Sequence, residues 1–169
     1  MAQNETLGAN LLMAVSMVGG ALDDERRQML SKIKPSDWIP SELYLDFIRS
    51  VEAKSQDKVR MIGRSIMYAG KSTFLTDLEP LTPVKVLQFI TQAFERNNRG
   101  PDIGSWTILN LRDGYAELET TDYSGEYFVE GLLEGAVRVA NGNDVRIEKR
   151  KARSRGDKTD LFQISWEAQ

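Results

Sequence analysis

Near its C-terminal end the chain reads VRIEKRKARSRGDKTDLFQISW, Val145 to Trp166. Its middle gathers Lys149, Arg150, Lys151, Arg153, Arg155 and Lys158, with Arg146 just before them. Guanidinium and ammonium groups at this density can hold phosphate, an acidic protein patch or nucleic acid by charge alone. Lys149, Arg150, Lys151, Arg153 and Arg155 are therefore the candidate partner or anion surface. Nucleic acid fits least. Base stacking wants exposed aromatics among the charges, none stands between Val145 and Leu161, and the whole chain carries a net charge of −3. The plainer reading is the solvated tip of a hairpin. On that reading, charge reversal at Arg150, Lys151 and Arg153 leaves the fold intact.

Aromatic residues form the second set. Trp106, Tyr115, Tyr127 and Phe128, with Gly131 beside them, are candidates to line an apolar ligand pocket, and Tyr123 lies close in sequence. The alternative is plain core. Glu117 and Glu119 share one strand face and could hold a hard cation, but they read better as the wet face of an antiparallel sheet. Gly70-Lys71-Ser72-Thr73 matches the tail of a phosphate-binding loop. The full motif wants another glycine where Ser65 stands, and a strand before it.

Two residue types are missing altogether. There is no cysteine, which removes disulfides, zinc thiolates, iron–sulfur clusters and thiol nucleophiles. There is no histidine, which removes the commonest general base, transition-metal ligand and proximal haem ligand. No nucleophile–base pair is apparent. The expectation is a non-enzyme with no metal and no cofactor.

The elements that must position these residues follow from the period of the apolar ones. Residues 7–22 carry Leu11, Leu12, Val15 and Val18 at helical spacing and stop at Gly19-Gly20. At about a dozen apolar residues, this run is too short for a membrane span, which needs about 20. No basic segment precedes it as a secretory signal requires, so a cytoplasmic location is expected. Its few charges also make it a candidate homodimer contact. Asp23-Asp24-Glu25 opens a short helix, and Pro35 closes it. Trp38 and Pro40 read as a connector. Ser41 opens a helix whose face is Leu43, Tyr44, Phe47, Ile48 and Val51.

A helix over 56–69 carries Val59, Ile62, Ile66 and Met67, with Gly63 implying close packing. Pro83 starts another, with Val84, Leu87, Phe89, Ile90 and Phe94 inward. From Trp106 the period becomes two. Asp113-Gly114 turns a hairpin whose core face is Leu109, Leu111, Ala116 and Leu118, and Trp106 and Ile108 suggest a strand covered on both sides. The helix over 126–140 buries Phe128, Leu132, Leu133, Ala136 and Val137. Gly131 and Gly135 form a smooth strip expected to lie on the sheet. Val145, Ile147, Phe162, Ile164 and Trp166 mark two last strands. The class is α+β: N-terminal helices, then β-β-α-β-β as an antiparallel sheet with helices packed on one face. Residues 1–36 read as a helical extension and 37–169 as the sensor or adaptor domain.

The segments DWIPSELYLDFIRSVE, IGRSIM, LTPVKVLQFITQAFERNNRG and YFVEGLLEGAVRVANGNDVRIEKRKARSRGDKTDLFQISW, in that order, resemble one superfamily. It joins 4-vinyl reductase domains, haem–nitric oxide binding domains and the small subunits of the TRAPP transport complex. The order W-x-P, IGR, N-x-x-G, F-x-x-G, RGD and W is similar to a bacterial branch often attached to signalling architectures. The resemblance spans Trp38 to Trp166 and implies a ligand-binding or interaction fold. The reductase type often carries cysteines flanking its Gly-Asp loop, where Ala152 and Asp160 stand here. The haem-binding type needs a proximal histidine, which this chain lacks. What the resemblance implies is a haem-free sensor for a small apolar ligand, signalling through dimer or acidic-partner contacts. A scaffold of the transport-subunit kind is the alternative.

Overall fold

The computed structural model describes residues 3–18 and 24–167. The expected stop at Gly19-Gly20 lies outside the described residues. Among these residues, seven strands and six α-helices make an α+β fold with two antiparallel sheets. Among the described residues, no helix is long and apolar enough to cross a membrane.

The first sheet is small. Strand β1 (Glu5–Leu7) lies between β2 (Trp38–Pro40) and β3 (Asn98–Arg99). Arg99 ties it down twice: Nε donates to Glu5 at 2.7 Å, and the guanidinium lies 4.2 Å from the Trp38 ring centre. Runs of two or three residues have no readable period, so the sequence shows Trp38 and Pro40 only as a connector. Helix α1 (Gly8–Val18) follows β1 directly and buries Leu11 and Ala14. Residues 5–18 are thus built into the same body as the rest of the chain. Helix α2 (Asp24–Leu30) buries none of its residues.

Helix α3 (Ser41–Glu52) buries Leu45, Ile48 and Val51, while Leu43 faces outward at 36 % exposure. Helix α4 (Gln56–Gly70) starts at Ser55, whose hydroxyl accepts the Lys58 N–H at 3.2 Å. Gly70 is thus the last residue of a helix, residues 71–73 turn away from it, and no strand precedes them. Helix α5 (Pro83–Asn97) starts the same way at Thr82, with Pro83 where a missing N–H is harmless.

The larger sheet holds β4 (Trp106–Arg112), β5 (Tyr115–Thr120), β6 (Asn143–Lys151) and β7 (Asp160–Glu167) in the order β4-β5-β7-β6. Ala116, Leu118, Phe162 and Ile164 face the core and are fully enclosed. Leu109 does not. A bulge between Ile108 and Asn110 shifts the register, so Trp106, Ile108 and Leu111 pack inward and Leu109 is 52 % exposed.

Helix α6 (Glu126–Val139) crosses this sheet and packs closely on α4. Its glycine strip meets α4 and not the sheet, against the sequence expectation. Gly131 abuts the backbone of Arg60, Gly135 that of Arg64, and Gly63 of α4 meets Phe128 and Leu132 in return. The bare backbones let Arg60 and Arg64 reach Glu130 and Glu134, both at 3.3 Å.

Buried side chains form two clusters. One lies between the larger sheet, α5 and α6, and includes Leu87, Leu133 and Phe162. The other joins α1, α3 and α4, and includes Ala14, Ile48, Ile62 and Phe128. Leu132 packs against both.

Candidate ligand cavity

A cavity of about 930 Å³ opens at the boundary of the two clusters. One wall comes from β1, α1 and α3, the other from α5 and the start of β4, with α4 and α6 contributing Ile66, Met67, Phe128 and Leu132. Seven aromatic side chains line it: Tyr44, Phe74, Phe89, Phe94, Trp106, Tyr123 and Phe128. Six of them are in pairs. Phe74 stacks on Phe89 with centroids 5.8 Å apart, Tyr44 meets Phe128 edge-on at 6.1 Å, and Phe94 lies 6.2 Å from Trp106. The volume is in the range of small-molecule sites, about 300–1,000 Å³.

A short polar segment closes one part of the wall. Asp122 is only 6 % exposed and Ser124 equally so. Asp122 Oδ1 accepts the backbone N–H of Ser124 at 2.8 Å and its hydroxyl at 2.7 Å, and Oδ2 accepts the Trp106 indole N–H at 3.0 Å. Next to it, the Tyr123 hydroxyl donates to Asp102 at 3.1 Å, and that bond raises the Tyr123 phenol pKa. Asn4 grips the Asp102 backbone from β1's side at 3.0 Å. Gly125 follows with φ +91°, a conformation that favours glycine, and lets the chain turn into α6.

Tyr44 lines the same cavity from α3. Burial, and then the nearby Asp122 charge, push its phenol well above the usual 10.0. The folded-state pKa is above the unfolded one. The neutral phenol therefore contributes stability that is fully present below about pH 10 and is lost as pH rises beyond it. Alkaline titration of the wild type should show an unfolding component above about pH 10 that is absent from Tyr44→Phe, read by circular dichroism. Superimposable alkaline profiles would contradict this account.

Of the five pocket residues expected from sequence, the fold brings Trp106 and Phe128 to the cavity. The other three lie elsewhere. Tyr115 is on the outer sheet face, donating to Glu117 at 2.8 Å beneath Arg112. Tyr127 is flanked by two cations, Arg60 at 5.3 Å and Lys149 at 4.7 Å from its ring centre. Gly131 is pressed on α4. Glu117 is engaged by Tyr115 and Gln163, and Glu119 by Thr159, all on the outer sheet face. Among the described residues, no group of three or more carboxylates could hold a metal.

The basic tip is mostly neutralised by its own surroundings. Lys149 pairs with Glu126 at 2.9 Å, Arg150 with Glu148 at 2.9 Å and Lys151 with Glu119 at 3.6 Å. Arg155 donates to the Lys149 carbonyl at 3.2 Å. Arg153 turns inward. Its Nε donates to the buried Asp160 at 2.8 Å, Nη1 to the Thr121 carbonyl at 3.0 Å and Nη2 to the Asp122 carbonyl. Of the two positions that carry cysteines in the reductase type, Asp160 anchors this guanidinium and Ala152 is buried beside it. Arg153 therefore braces the polar cavity wall from behind, which sequence reasoning missed because spacing does not tell a buried arginine from an exposed one.

No known family profile matches the chain, and no curated protein matches it. Solved structures do. An H-NOX protein from S. oneidensis in its Fe(II)NO ligation state aligns with a TM-score of 0.71 at 14 % identity, over 95 % of this chain and 99 % of that one. An unliganded Fe(II) H-NOX protein from K. algicida aligns at 0.58 and 10 %, over 94 % and 88 %. An oxygen-binding H-NOX domain related to soluble guanylate cyclases aligns at 0.60 and 15 %, over 95 % and 86 %. The haem–nitric oxide binding limb of the sequence resemblance is the one these structures carry. With near-complete coverage on both sides, the chain has the H-NOX fold.

Proposed function

We propose that this chain is a non-enzymatic sensor domain that encloses a small, largely apolar ligand in the cavity and does so without haem. The observation that carries the reading is the cavity itself, an aromatic-walled space of about 930 Å³ between two separate core clusters. A scaffold subunit has no use for such a space, and a filled core would have favoured that alternative. Occupancy would bias a conformational or dimer equilibrium by its differential affinity for two states.

The donor set does not fit haem. The chain has no imidazole and no thiolate. The remaining axial-type donors on the wall are the Met13 and Met67 thioethers and the Tyr44 and Tyr123 phenols. A phenol ligates haem iron as phenolate, and burial at Tyr44 and the Asp102 hydrogen bond at Tyr123 both oppose loss of that proton.

Native mass spectrometry of protein purified from its own host tests the reading. A retained small molecule is expected in the wild type and not in Ala93→Trp, whose indole would occupy the space that Ala93 lines. A Soret band or stoichiometric iron would overturn the haem-free part. Equal retention by both proteins would overturn the assignment of the cavity.

A further inference from the structure

The charges on the wall narrow the class of ligand. Six charged side chains line the cavity: Glu42, Arg49, Asp77, Arg96, Asp102 and Asp122. Five are exposed, and only Asp122 is buried. Arg49 is already paired with Glu42 at 3.0 Å and Asp46 at 3.3 Å. Arg96 is exposed, its guanidinium 5.4 Å from the Phe89 ring centre. The cation nearest the buried zone, Arg153, directs its Nη groups at the backbone carbonyls of Thr121 and Asp122 and its Nε at Asp160. Among the described residues, the buried part of the cavity therefore presents one carboxylate and no cationic side chain.

That carboxylate has capacity left. A carboxylate oxygen can accept two hydrogen bonds. Oδ1 of Asp122 accepts two from Ser124, whereas Oδ2 accepts one, from Trp106. Aromatic side chains of Tyr44, Trp106 and Phe128 line the same cavity. Aromatic faces attract cations, an aromatic-lined site favours a largely apolar body, and a buried carboxylate is stabilised by a positive partner. At the buried end an incoming anion would meet the Asp122 charge and no cationic side chain to offset it.

The geometry points to an apolar, aromatic ligand whose polar end is cationic, an arylalkylamine or an amidine, recognised by Asp122 Oδ2 and the surrounding aromatic side chains. This assignment rests on the sensor reading above.

Three aromatic probes of similar size decide it: anthracenemethylamine, a cation; anthracenemethanol, neutral; and anthracenecarboxylate, an anion. Each is titrated by fluorescence into the native chain at about 0.3 M salt, where screening reduces attraction to the chain's overall negative charge. The cation is expected to bind about tenfold or more tighter than the anion, since a charged hydrogen bond is gained in one case and repulsion met in the other. Asp122→Asn should collapse that ratio, and Ala93→Trp should abolish binding of all three. Equal binding, or preference for the anion, overturns the ligand class and leaves the sensor reading standing. Failure of all three probes to bind overturns both. The probe series needs no variant, so it decides the matter even where Asp122→Asn does not fold.

Discussion

Arg153→Ala is expected to lower the unfolding free energy by about 3–5 kcal/mol, the range for breaking a buried ion pair from one side. Asp160 is 3 % exposed, and Arg153 meets it twice, through Nε at 2.8 Å and the backbone N–H at 2.7 Å. Removing the guanidinium leaves that carboxylate enclosed without its cation. It also frees the carbonyls of Thr121 and Asp122, so the polar wall of the cavity loses its brace. Arg153→Lys should recover only part of the loss, because an ammonium cannot address a carboxylate and two carbonyls as a planar fork does. Arg150→Glu and Lys151→Glu should each change stability by about 0.5 kcal/mol or less, both cations being exposed and their partners exposed or half-buried. The expectation of a dispensable tip is thus kept for those two positions and corrected at Arg153. Urea denaturation of the four variants checks it. A loss below about 1 kcal/mol in Arg153→Ala would show that the brace carries little.

Gly131→Ala should destabilise by about 3 kcal/mol, at the upper end of overpacking. A Cβ there would fall on the carbonyl oxygen of Arg60, with the Arg60 carbonyl carbon 2.8 Å away and its Cα at 3.0 Å. These are backbone atoms of α4, so no rotamer change relieves the contact and the helices must part. Parting them also opens the reciprocal contact at Gly63, where a Cβ would stand only 2.8 Å from the Leu132 nitrogen. Gly156→Ala is the control. It has nothing within 4 Å, only a φ of +92°, and should cost about 1 kcal/mol. If the two substitutions prove equal in thermal and urea unfolding, close helix contact is not what Gly131 provides.

The α+β class and the β-β-α-β-β order were legible because the apolar period changes from helical to two at Trp106 and back at Glu126. Gly63 was legible as a close contact, since an interior helical glycine has few other uses. Which element it touched was not, because a G-x-x-x-G strip has the same spacing whether a helix or a sheet lies on it. Leu109 was misplaced because one bulged residue inverts the faces beyond it, and nothing local at Ile108-Leu109-Asn110 announces the bulge. The cavity was legible only in part. Trp106 and Phe128 stand out as large apolar residues, whereas Asp122 and Ser124 sit in a polar stretch, TTDYSG, that reads as an ordinary loop. Their burial is a product of tertiary packing between segments far apart in the chain, such as α3 and the start of α6.

The bulge at Leu109 has a bearing on how copies of this chain can meet. Strands β4 and β6 are the two borders of the larger sheet. The register of β4 with β5 breaks once, and that of β6 with β7 breaks twice, between Asn143 and Arg146 and between Lys149 and Lys151. Each irregularity twists a border strand and interrupts its row of free N–H and C=O groups. Neither border therefore offers a long, flat ladder on which a second sheet could be zipped. Self-association through backbone pairing at the larger sheet is blunted on both sides.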